Sequence, residues 1–355
     1  MKIYEPYKIK DVMFQSRIVL PPMVPFGIQE GQDDSLGKEI IEYYRRRVKG
    51  KLGLVITNAF SVVQRDEGLR AFGLEKPKQR ESLKELIDLC HANGTRIFVQ
   101  LAYPSKGHHR HEKIDHWTKE ELKEIEDRFV SCARIVKDLG ADGVELHGAN
   151  MFFLNLFSSP ISNNRTDEFG GDLNGRLRLA GNIIRRIQQF ADEKFIIDYR
   201  MGWNLDLETD VETAKYLEKL GIDVFHISYG IRESDRVMPK EYPPVICFPG
   251  TTRERQISPT DFPYNDVVYS GKKIHDALHI PVILVDEIWT IARGEELLQE
   301  DAGEFIALGR AFLAEPELLE KAAGNPDYLG CYQCKECAWF DDFSRCPKVI
   351  QRGFA

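Results

Sequence analysis

A chain of 355 residues, 43% hydrophobic and 29% charged, carries enough apolar material for one large core, and α/β barrels with insertions reach this length as a single unit. Its net charge of −8 lacks the basic surplus of a nucleic-acid binder. No apolar run approaches the roughly 18 residues that a membrane span needs, and the opening MKIYEPYKIK has no apolar signal core, so a cytoplasmic protein without a membrane partner is expected.

In chain order, short apolar runs alternate with amphipathic helical stretches, the pattern of repeated βα units. The runs are IVLPP (18–22), LVITNAF (54–60), RIFVQL (96–101), GVELH (143–147), FIIDYR (195–200), DVFHIS (223–228), PVILVD (281–286) and EFIALG (304–309). Helices are predicted between them at Ser82 to Asn93 and at Thr118 to Leu139, the second opened by a Thr118/Glu121 capping box. Eight such strands predict a (β/α)8 TIM barrel over 1–325, with a doubly wound open sheet as the alternative that counting leaves. A cysteine-containing C-terminal extension, 326–355, is expected to pack on the barrel.

A barrel brings the C-terminal ends of its strands to one mouth, so residues far apart in sequence become neighbours there. Strand one ends in Pro22, Met23 and Val24, strand two in Asn58 and Ala59, strand three in Gln100, strand four in His147 and strand five in Arg200. His147 and Asn150 stand three residues apart, and an imidazole and a carboxamide can both donate to one carbonyl oxygen. The competing reading is that the two merely satisfy one another and a loop carbonyl. For Arg200 the competing reading is a barrel-mouth ion pair with Asp198 or Glu145.

The stretch GVELHGANMFFLNLFSSPISNNRTDEFGGDLNGR, Gly143 to Arg176, resembles the motif of the Old Yellow Enzyme family through Asp142, His147, Asn150, Ser159, Pro160, Asn163, Arg165, Asp167, Phe169, Gly170, Gly171 and Arg176. The likeness extends from YEPYKIKDVMFQSRIVLPPM to LGRAFLAEPEL, nearly the whole chain. It implies an FMN-dependent ene-reductase that delivers hydride to the activated C=C bond of an unsaturated carbonyl compound, with NAD(P)H or a reduced electron-transfer protein as donor. It places Pro22, Met23, Val24 and Ala59 against the flavin, Gln100 on its pyrimidine edge, Arg200 beside N1 and O2, Gly309 and Arg310 at the phosphate, and His147 and Asn150 on the substrate oxygen. A redox-neutral double-bond isomerase on the same flavin and a degenerate barrel serving as a binding protein are the alternatives. Oligomeric assembly is compatible with the sequence.

The chain departs from the pattern in places. The tyrosine that serves as proton donor is Phe152, a second active-site tyrosine is Phe26, and the Cys or Thr that tunes the flavin is Val24. Tyr103, Tyr229 and Tyr264 are alternative acids. Where relatives have a Gly-Gly pair after strand seven, this chain has Asp286 and Glu287, whose carboxylates would repel a phosphate unless they turn away and leave the backbone to hold it.

Of the seven cysteines, Cys90, Cys132 and Cys247 are scattered, whereas Cys331, Cys334, Cys337 and Cys346 form C-x2-C-x2-C-x8-C-P. Thiolates at this spacing suit a [4Fe-4S] cluster, with structural zinc as the alternative and an empty cysteine knot as the plainer reading. Larger relatives carry a cluster at this place with different spacing. The stretch YPSKGHHRHEKIDH, with His108, His109, His111, His116, Lys106 and Arg110, reads as a solvated basic loop rather than a metal site. The long segment from Gly230 to Ser270 reads as a lid over the mouth or an inert insertion.

Overall fold

In the computed structural model, residues 1–23, 34–63, 72–103, 114–203, 206–230, 257–334, 337–338 and 342–353 are described. Eight parallel strands form the wall: β1 (Ile18–Leu20), β2 (Leu54–Ile56), β3 (Arg96–Ala102), β4 (Gly143–Gly148), β5 (Ile196–Trp203), β6 (Val224–Tyr229), β7 (Val282–Leu284) and β8 (Phe305–Ala307). Each pairs with its neighbours in chain order, β8 with β1 and β2 with β3, so the sheet closes on itself. This is the (β/α)8 barrel, and closure disposes of the open-sheet alternative. All eight expected runs form strands. The predicted helix at 82–93 starts earlier, at Pro77, because proline at the first helical position lacks only an amide that would be unpaired there. The other runs from Lys119 to Asp138, with Thr118 and Glu121 closing the capping box.

Side chains alternate between the two faces of each strand, and that alternation sorts the core. One set, including Val19, Leu54, Ile56, Phe98, Ile196, Val224, Ile283 and Phe305, fills the barrel interior near the strand N-termini. A hairpin, Tyr7–Ile9 with Val12–Phe14, plugs that end, with Phe14 edge-on to Phe98 and Phe305. The other set packs between strands and helices. Beyond the apolar layer the inward positions turn polar, with Gln100, Glu145, Asp198 and His226, and then His147, Arg200 and Ser228 at the mouth.

The segment after β4 is a clamp built on side chain to backbone bonds. Asn163 Nδ2 donates to the carbonyls of Phe157 and Phe169 at 2.7 and 2.8 Å. The Arg165 guanidinium, 6% exposed, donates to the carbonyls of Ile114 and Trp117 and, at two points, to the Asp167 carboxylate. Arg176 ties down the carbonyls of Ser158 and Gly171. Gly175 must lack a side chain, since a Cβ there would lie 1.9 Å from the Gly170 carbonyl oxygen. Most of the long motif is therefore scaffolding that fixes where the chain leaves β4.

Cys331, Cys346 and Val349 of the C-terminal segment are buried with the outer core, and a short helix, Pro347–Arg352, follows Cys346. The clamp is open to test. Arg165→Ala should lower the unfolding free energy by about 3 kcal/mol, because it strands two buried carbonyls and one carboxylate. Arg165→Lys should recover less than half of that, since an ammonium cannot make the forked contact. A shift in the urea midpoint equivalent to less than about 0.5 kcal/mol for the alanine variant would show the clamp to be dispensable.

Candidate active site

The strand ends meet as the barrel requires. His147 ends β4 directly opposite Arg200 of β5, which in turn faces His226 of β6. Past β4 the chain turns through two consecutive left-handed residues, Asn150 (φ 54°) and Met151 (φ 64°). This costs on the order of 1 kcal/mol per residue for side chains other than glycine. The turn is secured by the Asn150 amide donating to the Tyr229 carbonyl at 2.6 Å and the Met151 amide donating to Asn155 Oδ1 at 3.0 Å. Backbone strain held in this way belongs to a place where a side chain must be aimed.

Arg200 Nη2 donates to Ser228 Oγ at 3.0 Å, and Ser228 Oγ reaches Asn150 Oδ1 at 3.4 Å. One serine thus links the cation and the carboxamide. Burial pushes the Arg200 guanidinium down while Glu145, Asp198 and Asp286 hold it up, and its buried Nε has no hydrogen-bond partner among the described residues. Phe152 stacks on His147, with centroids 4.0 Å apart and planes at 26°. The residue that replaces the expected acid therefore fixes the imidazole plane and offers no proton.

Below the mouth lies a fully buried polar cluster. Glu145 accepts from Gln100 Nε2 at 2.6 Å and meets His226 Nδ1 at 2.5 Å. Burial opposes the Glu145 carboxylate, yet His226, Arg200 and Gln100 together hold it below the usual range. Burial, with the Glu145 carboxylate alongside, holds Asp198 well above that range, and burial keeps His226 low against the pull of Glu145. Two carboxylates at such close quarters disfavour each other's ionisation. Asp198, His226 and Ser228 were not singled out as site residues from the sequence. The signal was present as polar residues two apart within apolar strands, namely 145/147, 198/200 and 226/228, each pair on one face.

At the opposite side of the mouth, Asp286 (φ 88°) and Glu287 (φ 55°) adopt the left-handed backbone that a glycine pair would take. Their carboxylates do not turn away from the cation there. They lie 3.7 and 3.8 Å from Arg310 Nη2, and Asn265 Nδ2 donates to Asp286 at 2.9 Å. Arg310 also stacks over Trp289 at 4.3 Å. A Cβ on Gly309 would come within 3.1 Å of Met23 Sδ, so Met23 and Gly309 are neighbours across β1 and β8. Pro22 is half-buried beside Met23, and Ala59 follows β2 next to Asn58, which is bonded to the Tyr44 hydroxyl. Val24 and Phe26 lie outside the described residues, as do Cys247, Lys106, His108, His109, Arg110, His111 and residues 231–256 of the lid segment.

Of the tyrosines considered as acids, Tyr264 is engaged elsewhere, its hydroxyl donating to the Arg293 carbonyl at 2.8 Å and bonding the Glu296 carboxylate at 3.0 Å. Tyr103 packs between Trp117 and Phe153 just beyond β3, and Tyr229 ends β6 next to the Asn150 turn. His116 stacks on Trp117.

In the C-terminal segment, the Gln333 amide donates to Cys331 Sγ at 3.4 Å from a left-handed Gln333 (φ 54°). Burial raises the Cys331 thiol to about 11, and Cys337, Cys346 and Arg310 are close enough to act on it. Tetrahedral zinc at Zn–S bonds of about 2.3 Å requires sulfurs about 3.8 Å apart. Among the described residues the group of three metal-type ligand atoms within 4.8 Å is Glu145, Asp198 and His226, and no three cysteine sulfurs come that close. The segment thus has a thiol with an amide donor and does not present a closed zinc site.

The model of the NADH:flavin oxidoreductase / NADH oxidase family matches residues 2–116 and 106–327. The chain is 30% identical over 343 residues to the NADH oxidase of Thermoanaerobacter brockii, covering 89% of this chain and 50% of that one. It is 28% identical over 347 residues to the NADPH dehydrogenase of Listeria innocua, covering 91% and 94%. It therefore spans half the length of the first relative and nearly all of the second. Among solved structures it resembles a 2-naphthoyl-CoA reductase in complex with 2-naphthoyl-CoA (TM-score 0.77, 21% identity, 96% of this chain and 55% of that one). It also resembles the old yellow enzyme homologue of Zymomonas mobilis (TM-score 0.72, 20% identity, 98% and 99%). At such identities these likenesses speak for the barrel alone. The family match runs through all eight strands and the mouth residues just described, and the chain belongs to the NADH:flavin oxidoreductase / NADH oxidase family, the flavin-dependent oxidoreductases of the Old Yellow Enzyme group.

Proposed function

We propose that this protein is an FMN-dependent reductase of activated C=C bonds in unsaturated carbonyl compounds, with NAD(P)H as electron donor. The observation that carries the proposal is the mouth assembly in which Ser228 joins Arg200 to Asn150 while Phe152 holds the ring of His147. Bound FMN would supply hydride transfer between the nicotinamide and the alkene. His147 and Asn150 then act as two donors on the substrate carbonyl oxygen, where negative charge grows as hydride arrives at the β-carbon. Donors fixed in this way contribute a few kcal/mol, roughly 3 each by analogy with other oxyanion sites. Arg200 is a fixed cation with a buried, unbonded Nε, fitted to an electron-rich ring edge. Pro22, Met23, Val24, Ala59 and Gln100 are the proposed remaining ring contacts, and Gly309 and Arg310 the proposed phosphate contacts. Cys331, Cys334, Cys337 and Cys346 are proposed ligands of an iron–sulfur cluster rather than of zinc, supported by their spacing and the amide donor on Cys331.

The ring site fits the cofactor better than the phosphate site does. Asp286 and Glu287 already compensate Arg310, so a phosphate must compete with two carboxylates for one guanidinium. Replacing both with glycine keeps the left-handed backbone and removes the competition. The double variant Asp286→Gly/Glu287→Gly should bind FMN at least about tenfold more tightly while riboflavin affinity stays within about twofold. Equal gains for both flavins in fluorescence-quenching titrations would mean that the carboxylates act on the ring or on stability, not on the phosphate.

Phenolates mimic the oxygen that His147 and Asn150 would hold. His147→Ala/Asn150→Ala should keep the 450 nm flavin band yet lose the long-wavelength charge-transfer absorbance on p-hydroxybenzaldehyde addition, with affinity down about 100-fold. An undiminished charge-transfer band would sink the assignment. Phe152→Tyr supplies a hydroxyl beside His147 and should speed reoxidation by cyclohexenone about 10- to 100-fold, at the low end of general-acid effects. Reduction by NADPH should be unaltered. Stopped-flow traces with no gain in the oxidative step would assign the proton to water or another side chain.

A further inference from the structure

Asp198 has no part in the function proposed above, yet it is completely buried beside the groups that have. It pairs in register with Glu145 across β4 and β5, and its carboxyl lies within 4.8 Å of ligand atoms of both Glu145 and His226. Its oxygens have no donor in good hydrogen-bond geometry among the described residues and stand against the Glu145 carboxylate, whereas Glu145 is also engaged by Gln100 and His226. The charged or titratable groups facing Asp198 are Glu145 and His147 from β4, His226 from β6 and Arg200 two residues along its own strand. Gln100 on β3 is neutral, and below the cluster lie Ile196, Val224 and Ile283. Arg200 is one guanidinium beside these two fully buried carboxylates, and Asp286 acts on it as well. With Glu145 ionised against Arg200 the cluster is balanced, and a second carboxylate would leave it negative in a fully buried place.

A divalent cation is the other occupant such a trio could take. Zinc would need bonds near 2.0–2.2 Å to each ligand. The Glu145–His226 hydrogen bond at 2.5 Å occupies that space, and Arg200 beside it repels a cation. A proton satisfies the same charge deficit.

We propose that Asp198 is a positioning residue that shares one proton with the Glu145 carboxylate it faces across β4 and β5 and thereby leaves the cationic character of Arg200 directed at the flavin. This deepens the reading given above and rests on it only for the flavin-dependent part. Departure of that proton would put a net negative charge behind Arg200 and disfavour added electrons.

The test compares wild type with the neutral isostere Asp198→Asn in two measurements. In flavin-free protein, urea unfolding is followed from pH 4 to 9. Unfolded aspartate ionises near pH 4 while native Asp198 keeps its proton, so wild-type stability relative to the variant is greatest below about pH 4. It should fall as pH rises, up to tenfold in the unfolding constant per pH unit, until native Asp198 ionises. A wild-type to variant ratio independent of pH above 5 would overturn the proposal. Glu145→Gln provides a second arm: with the neighbouring carboxylate gone, Asp198 should ionise against Arg200, and the falling trend should vanish. A trend that persists in Glu145→Gln would overturn the pairing. In flavin-loaded protein, the midpoint potential of wild type should match that of Asp198→Asn at pH 6 and drop below it at alkaline pH. Identical potentials above the pH at which the stability profile shows Asp198 to ionise would break the link to Arg200. Failure to bind flavin at all would overturn the function proposed above, whereas the stability profile of the flavin-free protein would still read the Asp198 proton.

Discussion

Burying one carboxylate inside a barrel commits four of its strands. Glu145 on β4 is fully buried, and its charge is met by Gln100 from β3, His226 from β6 and the Arg200 guanidinium from β5. An isolated ion in such a place would cost several kcal/mol, so the register of these strands and the ionisation of the carboxylate stand or fall together. His147, Arg200 and Ser228 sit two residues further along the same strands. Alternation then points them the same way, into the mouth. The reactive layer is thus aligned by the layer beneath it, and an inward polar core takes over where the apolar plug of Phe14, Phe98 and Phe305 ends.

The loop after β4 serves the same end from outside the barrel. Its motif residues Asn163, Arg165 and Arg176 spend their hydrogen bonds on backbone carbonyls, leaving His147 and Asn150 as the members of the motif that face the mouth. The two left-handed residues at 150 and 151 are tolerable because that framework, together with the Tyr229 carbonyl and Asn155, holds both amides. At the far side of the mouth, Asp286 and Glu287 keep a glycine-like backbone while adding two negative charges next to Arg310. A turn that glycines would favour thus carries two carboxylates against one guanidinium.

The barrel was legible without coordinates because a strand buried on both faces reads as an unbroken apolar run, and eight such runs at βα spacing leave few ways to fold. That count placed Gln100, His147 and Arg200 on strands three, four and five, but the strands run on to Ala102, Gly148 and Trp203, because where a strand ends depends on the pairing of its neighbours. Less legible were the inner groups. Glu145, Asp198 and His226 look like isolated polar residues in apolar strands until neighbouring strands are set in register, and one residue of slip would send each to the opposite face. The four cysteines illustrate the reverse. Their spacing suggested a metal, but spacing along a chain does not set distances between sulfurs; the fold brings Cys331 near Cys337 and Cys346, and among the described residues no three of the sulfurs lie within 4.8 Å of one another.

By itself, then, the order of residues determined the barrel and the family, because periodicity, caps and motif spacing are local properties that each segment carries with it. Tertiary structure decided three matters: that Arg200 is tied through Ser228 to Asn150, that Asp286 and Glu287 turn toward Arg310, and that Glu145, Asp198 and Asp286 all act on one buried guanidinium. Each depends on charge separations of a few ångströms between segments distant in sequence, and electrostatic energy in a low-dielectric interior changes steeply over that range.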